Sequence, residues 1–229
     1  MRFFAIKNVP TVGWSSNHPH NIRPRPTTVF WLALGLFLFG AGETLLIAAG
    51  IGVSPWTVLA QGIAVSFDIG IGAATFVVSL GVLLLWLPLR QRPGVGTLCN
   101  VLIISATIGF LLPYIPAPES YWARVLEVCL GTLIVGLGSG IYLVANLGAG
   151  PRDGLMTGLQ SLTKLPIAWV RAFIEVAAIA CGWMLGGTVG VGTVIFAIGI
   201  GPAVSAGLYL TAYCAGSRME AVSLPGDDD

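Results

Sequence analysis

The chain has 229 residues, 55% of them hydrophobic and only 9% charged, with a net charge of +1. Its mean hydropathy of +0.88 means more apolar surface than a soluble fold can hide behind a charged exterior, which excludes a water-soluble enzyme or binding module. Near-neutral charge, with no basic cluster interleaved with aromatics, argues against nucleic acid as a partner, and the expected surroundings are a lipid bilayer.

Residues 1–28 read as a flexible basic arm, in which Arg2, Lys7, Arg23 and Arg25 are spaced by prolines, serines and asparagines. His18 and His20 lie in this arm and read as solvated. The arm lacks a signal-peptide layout, because the first long apolar run begins only near Val29 and is rich in glycine.

Six stretches are long enough to cross about 30 Å of hydrocarbon as helices: 29–50, 70–89, 94–115, 125–146, 167–187 and 190–213. Two further stretches, 55–67 and 151–164, have helical patterns but are too short for an ordinary crossing. Loop charges decide how these two run. If both short helices crossed, Arg90 and Arg92 would fall outside. If they only dip in or lie at the interface, Arg90, Arg92, Arg152, Lys164 and Arg218 all lie inside. The outer loops are then 116–120 and the uncharged GGTVG, 186–190. That second arrangement satisfies the positive-inside rule at every loop. It places both termini in the cytoplasm of a bacterial cell, with the chain in the plasma membrane. An acidic tail follows over 215–229. Cys99, Cys129, Cys181 and Cys214 show no metal-type spacing and read as small packing residues of helices.

An internal repeat organises the chain. Shifted by 96 residues, 34–97 aligns with 130–193 without a gap, with fifteen identities, seven of them glycine. Gly52 and Pro55 fall on Gly148 and Pro151, so a GxxP opens each short helix, with proline free to sit where no N–H is needed. The run Gly94-Val95-Gly96-Thr97 returns as Gly190-Val191-Gly192-Thr193. The first membrane unit is 29–118 and the second 119–214. An odd number of crossings per unit turns the second unit upside down relative to the first. Inverted units with short helices in matching places are a layout of secondary transporters, whose sites lie near the midplane between the units. The other glycines, including Gly40, Gly42, Gly136, Gly138 and Gly140, read as positions of close helix approach.

GxxP opening a short helix, followed by GVGT opening the last span of each unit, resembles the YczE/YitT-type family of bacterial integral membrane proteins. The better match is in the second unit: ANLGAGPRDGLMTG (145–158), VRAFIEV (170–176) and GGTVGVGTVIFAIGIGP (186–202). The resemblance spans roughly residues 30–213. It implies the polytopic fold but no substrate, and it carries over no binding or catalytic residues.

Ionisable groups inside spans are costly and mark candidate sites. Arg171 and Glu175 are one turn apart and can pair, either as part of a solute site or as a structural ion pair. Their repeat counterparts, Thr75 and Ser79, are also polar. Glu43 lies in the first span. It reads as a proton carrier, as a hydrogen-bonded neutral acid, or as the partner of an arginine from the other unit. Asn100 reads as an interhelical hydrogen bond. Arg152 and Asp153 occupy the first turn of the second short helix. There a dipole and free N–H groups favour an anion, and a guanidinium can grip carboxylate or phosphate in a bidentate manner. Alternatively, Asp153 caps the turn and Arg152 only marks the cytoplasmic interface. The first unit has Trp56 and Thr57 at these two positions.

No metal-spaced histidines or acids, GxSxG elbow, Walker loop or Rossmann fingerprint occurs. The expectation is therefore no enzyme, no cofactor and no metal. The expected fold is an all-α polytopic bundle of two inverted units, each with three spans and one short re-entrant or interfacial helix. The expected function is a small secondary transporter of a small solute, anionic if Arg152 sets its charge. Arg152, Asp153, Arg171 and Glu175 would form its binding site and Glu43 its proton-coupling group. The alternative is a non-transporting scaffold or regulatory subunit. It would work with a membrane partner or a second copy of the chain, through its glycine-lined faces.

Overall fold

A computed structural model describes residues 9–216, and all the secondary structure in this range is helical. Most of the expected acidic tail (from 217 on) and the first eight residues of the arm lie outside the described residues. The helices are α1 Pro26–Ala49, α2 Pro55–Phe67, α3 Ile71–Trp86, α4 Val95–Leu111, α5 Tyr121–Val144, α6 Pro151–Thr163, α7 Ile167–Met184 and α8 Val191–Cys214. Five are long and apolar enough to cross a membrane: α1, α4 with its 3-10 extension to Tyr114, α5, α7 and α8. A sixth span arises if α2 and α3, which bend by 115° at Asp68–Gly70, count as one broken crossing. The expected continuous span over 70–89 is cut back to 16 residues. Pro88 cannot donate to the helical ladder, and the chain turns at Arg90 with φ 53°.

The outward faces carry Phe30, Leu84, Leu102, Phe110, Leu133, Phe173 and Ile198, all exposed. That surface suits hydrocarbon, where helices keep their backbone polar groups satisfied internally. Cys181 and Cys214 share this exposed face instead of packing inside, while Cys99 and Cys129 are half-buried. At the centre stand α1 and α5, with 56% and 50% of their apolar windows buried against 22% for α7. Glycine sets their approach. A Cβ on Gly35 would stand 2.9 Å from Gly138 O, and one on Gly42 would stand 2.6 Å from Gly131 O. Moving along α1 from 35 to 42 moves back along α5 from 138 to 131, so the two helices run antiparallel.

The repeated motifs meet each other crosswise. Gly96 N donates to Leu147 O at 2.7 Å, and Gly192 N donates to Ile51 O at 2.8 Å. Each of these four residues lies 96 positions from its opposite number. The GVGT of one unit therefore clasps the GxxP break of the other. Gly52 and Gly148, at φ 114° and 119°, make the break turn sharply. A Cβ on Gly52 would stand 2.7 Å from Gly190 N, and one on Gly148 would stand 2.9 Å from Gly94 Cα. Only glycine combines that dihedral with so close a backbone contact. Pro55 and Pro151 then open α2 and α6, which end in left-handed caps at Asp68 and Lys164.

The N-terminal segment is not a free arm over its described part. Ser16 N donates to Ala145 O at 3.0 Å, Ser15 Oγ donates to Val144 O at 2.6 Å, and Asn146 Nδ2 donates to Ser16 O at 2.9 Å. Trp14 stacks on Trp31 with centroids 5.6 Å apart, and Val12 is buried. His18 and His20 are exposed, as expected of solvated side chains, and His20 Nε2 also lies 3.1 Å from Arg92 O. The unpaired carbonyls where α5 ends draw the segment down, and Trp14 and Val12 supply its apolar contact. The α5 partners sit more than a hundred residues away, beyond the reach of a local reading of composition.

Candidate functional site

Between the two units lies a cavity of about 280 Å³. It is lined by residues from α1 through α8, many of them as repeat pairs: Pro55 with Pro151, Trp56 with Arg152, Thr75 with Arg171 and Ser79 with Glu175. Arg152, Asp153, Arg171 and Glu175 all line it, and Glu43 does not.

Proline and the crossed clasp aim the first turn of α6 into this space. Trp86 braces it by donating from Nε1 to Pro151 O at 2.9 Å, with its ring against Gly154, where even a Cβ would collide at 2.0 Å. Arg152 lies over the Trp56 ring, 5.5 Å from its centroid. Two residues 96 positions apart thus meet face to face. Asp153 caps its helix in part, its carboxylate accepting from the backbone of the N-cap residue Gly150. Its Oδ2 also accepts from Tyr142 Oη at 2.9 Å. Arg152 and Asp153 are half-buried, and neither forms an ion pair: among the described residues the only one is Arg171 Nε to Glu175 Oε1, at 2.8 Å. That pair, with side chains 51% and 31% exposed, is reachable rather than sealed. Asn100 is a cavity wall residue, and no interhelical side-chain bond holds it.

Glu43 sits behind the cavity wall and is fully buried. Its Oε2 accepts from Thr57 Oγ1 at 2.8 Å and from Ser54 Oγ at 2.9 Å, while Oε1 has no hydrogen-bond partner. No arginine of the other unit bonds it directly. The chemistry mirrors that of the second unit. In both units a carboxylate–hydroxyl bond ties the first long helix to the start of the short one, but the partners are exchanged. In the first unit the acid is on α1 and the hydroxyls are at the start of α2. In the second the acid is on α6 and the hydroxyl is on α5.

Reasoning from sequence did not single out Tyr142, Ser54 or Trp56 as parts of the site. Trp56 could have been found, because it occupies the position of Arg152 in the other unit. Nothing local marks Tyr142.

This fold and its apolar exterior define a polytopic helical membrane protein. The family model described as "Family of unknown function (DUF6198)" matches residues 26–207, and the chain belongs to that family. It is similar to an "Uncharacterized protein" of Haemophilus influenzae, 37% identical over 199 residues, covering 87% of this chain and 90% of that one. It is also similar to the "Uncharacterized membrane protein YczE" of Bacillus subtilis, 32% identical over 166 residues, covering 72% and 77% of the two chains. The "Uncharacterized protein YyaS" of the same organism is 24% identical over 170 residues, covering 72% and 84%. No solved structure matches. The membership agrees with the expected YczE-type family.

Proposed function

We propose that the chain is two inverted units of one duplicated module and works as a small secondary transporter in the bacterial plasma membrane. The observation that carries this is the cavity of about 280 Å³ on the line between the units, with every ionisable residue expected at a solute site except Glu43 on its wall. A scaffold that only packed against a partner would have no reason to keep such groups around an open space, where burial without pairing costs free energy.

Three observations support inversion. The central helices run antiparallel through paired glycines. The two clasps obey the 96-residue offset. The clasps also lie at opposite ends: His20 and Arg92 stand with the Gly96–Leu147 clasp, whereas Arg124 approaches Gly50 near the Ile51–Gly192 clasp. Arg23, Arg25, Arg90 and Arg92 gather at the former end, which makes it the cytoplasmic one. The two short helices then enter from opposite faces and meet at the cavity, an arrangement suited to alternating access. In this reading Arg152 holds the solute and Glu43, one wall away, couples to a proton.

The test is uptake from a mixture of bacterial small metabolites into proteoliposomes, with the retained solutes read by mass spectrometry. At least one small solute is expected at tenfold or more above protein-free liposomes, and Arg152→Gln should bring uptake down to nearly the protein-free level, as loss of a charge-assisted contact predicts. Uptake no greater than in empty liposomes for every solute would overturn the reading.

A further inference from the structure

We propose that the cavity takes a small zwitterion with an apolar body, its carboxylate held by Arg152 and its ammonium by Asp153. This rests on the reading of the cavity as a solute site and specifies what that site selects.

Charge balance is the first ground. The ionisable wall residues are two cations, Arg152 and Arg171, and two anions, Asp153 and Glu175. Of these, Arg171 and Glu175 satisfy each other at 2.8 Å. Arg152 and Asp153 do not pair with each other, although they are neighbours in sequence. Consecutive helix residues diverge by about 100°, so each presents its charge to the cavity separately. Glu43 behind the wall and the Arg171–Glu175 pair also act on these two charges, but none of them bonds Arg152, so a solute with one charge answers one of the two groups and a zwitterion answers both.

The second ground is what each group has left to give. Arg152 rests on the Trp56 ring, and among the described residues no acceptor takes a hydrogen bond from its guanidinium. Stacking uses the face of a guanidinium and leaves its in-plane fork of donors free, the geometry that matches a carboxylate. Asp153 accepts from the Tyr142 hydroxyl, and a carboxylate has lone pairs for further donors.

The third ground is the opposite wall. All four charges come from α6 and α7, and their repeat partners Trp56, Thr57, Thr75 and Ser79 are uncharged. Val78, Val82 and Ile104 extend the apolar lining. Val135, Ile174 and Phe196 add apolar lining from the second unit, so the head group lies against the start of α6 and the apolar body against the side chains of both units. A volume of about 280 Å³ falls at the small end of ligand pockets, roughly 300–1,000 Å³. That suits a free solute rather than a lipid with its chains.

The experiment is calorimetric titration of the purified full-length protein with three matched probes. L-leucine carries both charges, 4-methylpentanoate lacks the ammonium, and 3-methylbutylamine lacks the carboxylate. Leucine is expected to bind, and each truncated probe at least tenfold more weakly. Asp153→Asn should bring leucine down to the level of 4-methylpentanoate without weakening the acid itself, and Arg92→Gln, away from the cavity, should change nothing. If Asp153→Asn fails to fold, the three probes on the unaltered protein still decide. Binding of 4-methylpentanoate as tight as that of leucine, or no binding of any probe, overturns the proposal. Leucine binding without uptake into proteoliposomes leaves it standing and removes the transporter reading instead.

Discussion

Gly140→Ala is expected to cost about 3 kcal/mol or more, the upper end for overpacking a tight core. Its Cβ would stand 2.3 Å from Gly207 C and 2.5 Å from Leu208 N. Both are backbone atoms, which cannot rotate away as the tip of a side chain can. The α5–α8 pair must separate, and with it the contact at Gly136, where a Cβ would meet Ala203 at 2.4 Å. Association of helices in lipid draws on close packing rather than on hydrophobic drive, so the loss has no ready compensation. Gly81→Ala is the matched control, because nothing lies within 4 Å of its added Cβ. It should be neutral or gain about 0.5 kcal/mol from a stiffer helix. Thermal unfolding in detergent, followed by size-exclusion chromatography, reads both. Equal stability of the two variants would show that the glycine contact between α5 and α8 does not hold the fold.

Glu43→Ala is the second large effect, expected at about 2–4 kcal/mol, from one stranded buried hydroxyl and the void left by the truncated side chain. Ser54 and Thr57 are 0% and 1% exposed, and both direct their hydroxyls at Glu43 Oε2. Ser54 can still donate to Thr57 Oγ1 at 2.9 Å, but truncation strands the Thr57 hydroxyl without its acceptor, at about 1–3 kcal/mol for a buried unsatisfied group, and leaves a void in the buried centre. Glu43→Gln keeps an acceptor oxygen for the two hydroxyls and should cost well under half as much. Unfolding midpoints of the two variants measure the difference. Similar, small losses for both would mean that the hydroxyls find other partners and that the cluster does not pin α2 to α1.

The same cluster shows how far the sequence carries the argument. The repeat, its offset and the GxxP and GVGT motifs were legible because identical glycines and prolines recur in register. The structure explains why they recur: each GVGT closes on the GxxP of the other unit, where side chains would collide with backbone. Intramembrane charges were legible because they are rare. Their partners were not. Glu43 is held by Ser54 and Thr57, and Asp153 by Tyr142, through contacts set by how a long helix folds back on a short one. Serine, threonine and tyrosine are too common in helices to stand out. The described N-terminal segment was misread for the same reason: its prolines and polar residues suggest a free arm, but its carbonyl and hydroxyl partners come from the distant end of α5. The end of α3 near Trp86 was misplaced because Leu87 and Leu89 continue the apolar run past Pro88, and hydropathy alone does not register the missing N–H.

Sidedness tests the central claim, two units inserted in opposite senses around a shared cavity. Single cysteines at 92, 119, 164 and 188, all exposed positions, would be introduced after replacing the four native cysteines, and probed in intact cells with a membrane-impermeant thiol reagent. Positions 119 and 188 are expected to label from outside, and 92 and 164 only after the cells are opened. A fifth cysteine at 79, on the cavity wall, should label in the presence of water-soluble reagent although it lies mid-helix. Labelling of 92 from outside would mean that α2 crosses the membrane fully. The two units would then run parallel, and the account of a cavity framed by inverted halves would fail.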